Sequence, residues 1–215
     1  MRYTSVLNLK QANHLVPIRQ DQILSFYYCQ ELFIQKDLNV EAESLDIESI
    51  NLYMGQVKKW ASSHIHEEDS NFFGGDEEDS EVVLYSSSLN FLVSCFAIRT
   101  MGGSVEPIFF TRKLPTKVRD NHLLIICSAI QALKDLGLNC VKGWVTNGSE
   151  HLPLVPGQEN FDIMKRLSDS MAEKSYFVKT GKKCSFCPLL SSCEVYRNIE
   201  TIQSLCSNGP ARFEF

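Results

Sequence analysis

Three cysteines near the C-terminus limit what this chain can fold into more than any other feature does. Cys184, Cys187 and Cys193 lie in the run Lys182-Lys183-Cys184-Ser185-Phe186-Cys187-Pro188-Leu189-Leu190-Ser191-Ser192-Cys193, a thiol density that packing alone does not call for. Two thiolates separated by two residues can grip one metal, because the intervening turn points both sulfurs inward, and the third returns after five residues. Pro188 directly after a ligand-type cysteine, with Phe186, Leu189 and Leu190 to exclude water, favours an iron–sulfur cluster over zinc. The plainer reading, three buried structural thiols, asks nothing of the rest of the chain.

The compartment follows from what the sequence lacks. None of its apolar segments reaches the ~20 residues of a membrane span. The start, Met1-Arg2-Tyr3-Thr4-Ser5-Val6, has no apolar core followed by a small-residue cleavage site, so no secretion signal is expected. A cytoplasmic or nuclear, reducing address is expected, where eight cysteines read as ligands and free thiols rather than disulfides. At 215 residues, 44% of them hydrophobic, the chain suffices for one packed domain with a small appendage.

The net charge of −5 is concentrated in one place. Glu67, Glu68, Asp69, Asp76, Glu77, Glu78, Asp79 and Glu81 form an acidic stretch without a base. Outside it, 21 bases face 18 acids. That remainder is compatible with a nucleic-acid partner without demanding one.

Periodicity predicts a helix over 20–39, with Ile23, Leu24, Tyr27, Tyr28, Leu32 and Ile34 at helical spacing, and a second over 47–64 through Ile50, Tyr53, Met54, Val57 and Trp60. The acidic stretch around Gly74-Gly75 reads as a solvated loop or disordered insertion, with Phe72-Phe73 as a possible partner-docking plug. Strand material follows over 81–99, broken near Ser86-Ser87-Ser88. Met101-Gly102-Gly103 reads as a hairpin connection, then a strand over 105–111 and a basic loop over 112–117. A strongly apolar helix over 121–136 ends at Gly137. Strands over 141–145 and 152–155 and an amphipathic helix over 161–174 complete the pattern. This order predicts an α/β fold in which helices cover a mixed sheet. Trp60 and Trp144 read as core anchors, and Phe213-Glu214-Phe215 as a frayed end.

This order, ending in a cysteine cluster, resembles the RecB-like nucleases of the PD-(D/E)XK superfamily, in particular the CRISPR-associated exonuclease branch and related iron–sulfur exonucleases and helicase-nucleases. The resemblance implies a restriction-endonuclease-like mixed sheet flanked by helices. It also implies that a 4Fe–4S cluster joins an early helix to the C-terminal motif. By that likeness Phe26-Tyr27-Tyr28-Cys29-Gln30-Glu31-Leu32 supplies the fourth ligand, Cys29, to stand with Cys184, Cys187 and Cys193. Cys206 is the rival. A set of Cys184, Cys187, Cys193 and Cys206 would fold a local zinc knuckle instead. The core would span 1–178, with the acidic insertion at about 66–81, and the cysteine-cluster segment 179–215.

The resemblance also implies positions for a metal-dependent nuclease site: an early histidine, an aspartate on one strand, a glutamate and lysine on the next, and a glutamine and tyrosine on the following helix. By alignment these fall at Lys59, Asn90, Phe109, Thr111, Leu124 and Ser128. An amide and a phenyl ring do not replace two carboxylates at a hard divalent cation, whose dehydration would go uncompensated. The expectation is a nuclease fold without catalysis. It would act as a nucleic-acid-binding or scaffolding subunit that docks on a helicase, nuclease or integrase complex and contacts single-stranded DNA or a junction. Candidate contacts are Arg112, Lys113, Lys117 and Arg119 on one loop and Lys179, Lys182 and Lys183 beside the cysteines, although a solvated face would use the same residues. Two other classes stay open. One is a divergent single-strand exonuclease using Asp76, Glu81 or Glu106 with His64 or His66, and the other is a protein-interaction module with a zinc knuckle whose acidic loop binds a basic partner.

Overall fold

The computed structural model describes residues 14–15, 18–20, 22–23, 27, 45–67, 70–75, 81–172 and 193. The fold is α/β, with mixed sheets and three helices among the described residues. The strands are β1 (His14–Leu15), β2 (Ile18–Arg19), β3 (Leu45–Asp46), β4 (Asn71–Gly74), β5 (Val82–Ser86), β6 (Phe91–Cys95), β7 (Ala97–Met101), β8 (Ser104–Phe110), β9 (Gly143–Thr146) and β10 (His151–Leu154). The helices are α1 (Ile47–His64), α2 (Asp120–Asp135) and α3 (Gln158–Ala172). Of the helix predicted over 20–39, the described Gln20, Gln22, Ile23 and Tyr27 are helical.

The largest sheet has the order β10-β9-β8-β7-β4, antiparallel except for the parallel β8–β9 pair, which α2 connects. A second sheet, β2-β6-β5, pairs β2 with β6 in parallel. Strand β6 passes into β7 through a bend at Phe96, so one bent ribbon belongs to both sheets. The β7–β8 hairpin turns through Gly102 and Gly103, at φ 56° and 78°. A two-residue turn with both φ values positive matches the right-handed strand twist, and glycine reaches it without steric cost.

Helix α1 forms over the predicted residues for two reasons. Met54, Val57 and Ala61 line up on one buried face, and Asp46 caps the start by accepting from the amides of Glu48 and Ser49 at 3.3 and 3.1 Å. Helix α2 is buried on most sides, as its low charge predicts, through Leu124, Ile126, Cys127, Ser128, Ala129, Ile130, Ala132 and Leu133. Its end closes on Gly137, at φ 79°, whose amide donates to Lys134 O at 2.8 Å while Leu138 N donates to Leu133 O at 3.1 Å.

One core forms where α1 and α2 meet the inner sheet face, with Val57, Ala61, Leu84, Val93, Ile98, Val105, Ile130 and Leu133 at its centre. A second lies between α2 and α3: Leu124, Cys127, Met164 and Leu167 enclose Ile18, Ile23, Leu89 and Phe91, and Tyr27 packs against them. The early chain is thereby wedged against both helices.

The acidic stretch departs from expectation. Strand β4 runs through it, pairing Asn71–Gly74 with Thr100–Ala97 of β7. Phe73 turns inward, 5.4 Å from the Trp60 ring, whereas Phe72 is 54% exposed. Surrounding acids hide this strand in the sequence, and only a partner such as β7 makes so short an edge strand stable.

Candidate functional site

The end of the parallel β8–β9 pair and the start of α2 gather most of the candidate residues. Phe109, at the expected glutamate position, is half-buried against the main core. Thr111 donates its amide to Thr146 O at 2.8 Å and its hydroxyl to Lys113 O at 3.2 Å. Leu124 is fully buried, and Ser128, also buried, donates to Leu124 O at 3.0 Å. These positions are occupied by packing and by internal hydrogen bonds. Lys59 is exposed on α1.

Asn90 stands elsewhere. It lies in the turn between β5 and β6 at φ 55°, with its side-chain oxygen accepting from Tyr85 Oη at 3.1 Å. The residue that the bent ribbon brings against β8 is Phe96, whose amide donates to Ile108 O at 2.8 Å. Inside–outside alternation runs regularly from Phe91 to Ala97 and breaks at Ala97-Ile98, which are both buried.

Arg112, Lys113, Lys117 and Arg119 are all exposed on the β8–α2 loop. At its end Arg119 N donates to the His122 ring nitrogen at 3.2 Å. Burial, and then the Arg119 charge, lower the His122 pKa, which keeps the ring neutral and able to accept. Next to this loop, Phe110 is 54% exposed and Phe96 39% exposed, with ring centroids 5.8 Å apart.

The outer face of the large sheet holds a polar knot that sequence reasoning missed. Glu106, 2% exposed, is bonded by Arg99 at 2.5 Å, by the Trp144 indole N–H at 2.7 Å and by Lys142 at 3.2 Å. The cations of Arg99 and Lys142 also lie over the Trp144 ring, 4.7 and 5.1 Å from its centroid. Burial alone would raise the Glu106 pKa. Hydrogen bonds from Arg99, Trp144 and Lys142 and the Arg99 charge outweigh burial and hold the carboxyl below its usual value. The hairpin register gives away half of this knot, since a turn at Gly102-Gly103 sets Arg99 opposite Glu106. Nothing local points to Trp144, read above as a core anchor, or to Lys142.

Other acids and histidines stand apart. His64 stacks on Trp60 at 5.1 Å and its ring nitrogen meets Trp60 O at 2.8 Å. His66 and Glu81 are exposed, and Asp76 lies outside the described residues. Among the described residues no group of three or more His, Cys, Asp or Glu is placed to hold a metal ion. Of the cysteine ligand set, Cys193 is described, as a half-buried free thiol, whereas Cys29, Cys184, Cys187 and the rival Cys206 lie outside the described residues, as do Lys179, Lys182 and Lys183. Cys95, Cys127 and Cys140 are of another kind. Burial raises all three, Cys127 and Cys140 to about 12, so they stay protonated packing groups.

Among the described residues no helix is long and apolar enough to cross a membrane. No family model matches the chain, and no curated protein matches it. Among solved structures the crystal structure of SSO0001 is similar, with 14% identity and a TM-score of 0.37 over 88% of this chain and 89% of that one. A likeness that slight carries no argument about activity.

Proposed function

We propose that this chain is a catalytically inactive RecB-like iron–sulfur protein that binds single-stranded DNA or a junction and serves as a subunit of a DNA-processing complex. One observation carries the reading: around the end of β8 and the start of α2, Phe109, Thr111, Leu124 and Ser128 are spent on packing and internal hydrogen bonds, while the loop between those elements exposes four cations. Such a surface can hold phosphates but offers no carboxylate pair for a hydrolytic metal. The described acids nearest in sequence are already engaged: Glu106 has both oxygens bonded by Arg99, Lys142 and Trp144, and Asp120, which directly follows the loop, accepts from the Tyr27 hydroxyl at 2.8 Å.

Cys29, Cys184, Cys187 and Cys193 are the proposed ligands of a 4Fe–4S cluster, whose part would be to tie the early helix to the C-terminal segment. The packing of Ile23 and Tyr27 beside Met164 and Leu167 of α3 supports this, because Cys29 follows Tyr27 closely and α3 leads toward Cys184.

The test is a pair of assays on the full chain with labelled single-stranded DNA. At low salt the protein is expected to bind, and with magnesium or manganese it is expected to leave the strand intact. Metal-dependent degradation abolished by Asp76→Asn or Glu106→Gln would replace this reading with the divergent exonuclease. Absence of binding to any nucleic acid at low salt would replace it with the protein-interaction module.

A further inference from the structure

The outer face of the large sheet has an aromatic end. Strand pairing sets alternate residues on one face. Ile108 and Phe110 of β8 share theirs with Ala97 and Arg99 of β7 and with Trp144 of β9. The opposite face carries Ile98, Val105 and Val145 into the core beneath α1 and α2. Phe110 closes β8 on the outer face, 54% exposed, and Phe96 at the ribbon bend stands beside it, 39% exposed. Their rings lie 5.8 Å apart with planes inclined at 44°.

Two neighbouring phenyl rings left in water on a sheet face cost hydrophobic free energy that a polar residue would avoid. The Gly75 backbone lies close beside the Phe96 ring, from which a Cβ on that glycine would stand 3.1 Å.

We propose that Phe96 and Phe110 form a stacking platform for the bases of single-stranded nucleic acid, whose phosphates run over the β8–α2 loop. At the Phe110 end charge favours this ligand over a protein partner, while on the Phe96 side Gly75 leads in sequence into Asp76-Glu77-Glu78-Asp79. Arg112 and Lys113 follow Phe110 after the single residue Thr111, and with Lys117 and Arg119 they are exposed. On the same face the Arg99–Glu106–Lys142 knot sets two cations against one carboxylate. Aromatic faces flanked by cations suit unpaired bases, since every base offers a π-face for stacking, whereas duplex keeps its bases stacked on one another. The inference rests on the nucleic-acid reading above and deepens it by naming a strand preference and the residues behind it.

Fluorescence anisotropy with labelled oligothymidylate and with a duplex of equal length tests it. Phe110→Leu keeps an apolar side chain but removes the π-face, so it is expected to weaken oligothymidylate binding about five- to hundredfold while duplex affinity and unfolding temperature stay near wild type. Phe96→Leu is expected to behave likewise, and Phe110→Tyr to retain binding. If wild type binds oligothymidylate and both leucine variants bind it equally well, the platform is overturned and the nucleic-acid reading stands. The platform is also overturned if Phe110→Leu weakens single strand and duplex alike, because the ring then does not discriminate. A wild-type protein that binds neither oligonucleotide removes the underlying reading as well.

Discussion

Glu106 is the side chain on which the outer sheet face depends. It is almost fully buried between strands, and it is tolerated there because Arg99 on β7, Trp144 on β9, Lys142 just before β9 and the Ser104 hydroxyl on β8 all donate to its two oxygens. Deleting it would leave the Arg99 guanidinium and the Trp144 N–H without their acceptor. Glu106→Ala is therefore expected to cost about 2–4 kcal/mol of folding stability. The lower end is favoured, because Arg99 and Lys142 keep 19% and 35% side-chain exposure and water can replace part of what they lose. Urea unfolding with an unchanged m-value would measure this. The pH dependence has a definite sign. The folded pKa lies below the ordinary 4.5, so the contribution is complete above that value and is lost as pH falls through the folded one. Glu106→Gln should accordingly be less stable than wild type around neutrality, and the gap should close in acid. A gap constant down to strongly acid pH would mean that the carboxylate charge contributes nothing.

Among the elements, α2 sets the geometry of the site, because its start anchors the basic loop and its middle supports β8 and β9. Gly143 lets that support come close. A Cβ there would stand 3.0 Å from Ile126 Cγ2 and 3.2 Å from Pro107 O, and Ile126 is 1% exposed with nowhere to retreat. Gly143→Ala is expected to destabilise by about 1–3 kcal/mol as β9 is pushed off the helix, which thermal unfolding would detect. The loop's role is separable from this packing. Replacing Arg112, Lys113, Lys117 or Arg119 singly by alanine should weaken single-strand binding for every sequence tested and lower the salt slope by about one for each lost phosphate contact. An unchanged slope for all four would mark the loop as a solvated face. The elements differ in how well sequence foretold them. Helix α1 was legible because Ile50, Tyr53, Met54, Val57 and Trp60 recur at helical spacing, and all five meet the main core. The β7–β8 hairpin was legible from Gly102-Gly103. Strand β4 was not, since its pairing energy lies in β7 rather than in its own four residues. Phe96 escaped for a similar reason: it sits at a bend between two sheets, and only the fold shows which strand it meets.

For the molecule as a whole, the question is whether the cysteines act across the fold or within one local turn. The described part of the early chain is fixed in the second core, with Ile18 and Ile23 8% and 1% exposed among Leu124, Cys127, Met164 and Leu167. Tyr27 adds a hydrogen bond to Asp120 at the start of α2, at 2.8 Å. A ligand just beyond Tyr27 would therefore be carried on an anchored element, and a cluster using it would brace α2 and α3 from outside. A knuckle closed by Cys206 would brace nothing but itself. The two arrangements predict different losses. Metal binding that holds distant segments together adds to the stability of the entire fold. Protein purified without oxygen is expected to be brown, with a broad absorption in the blue. Cys29→Ser should bleach it and lower the unfolding temperature of the whole domain, whereas Cys206→Ser should change neither. A colourless protein with one zinc per chain, retained in Cys29→Ser and lost in Cys206→Ser without a shift in domain unfolding, would assign the metal to the local knuckle and leave the early helix held by its apolar contacts and the Tyr27–Asp120 hydrogen bond.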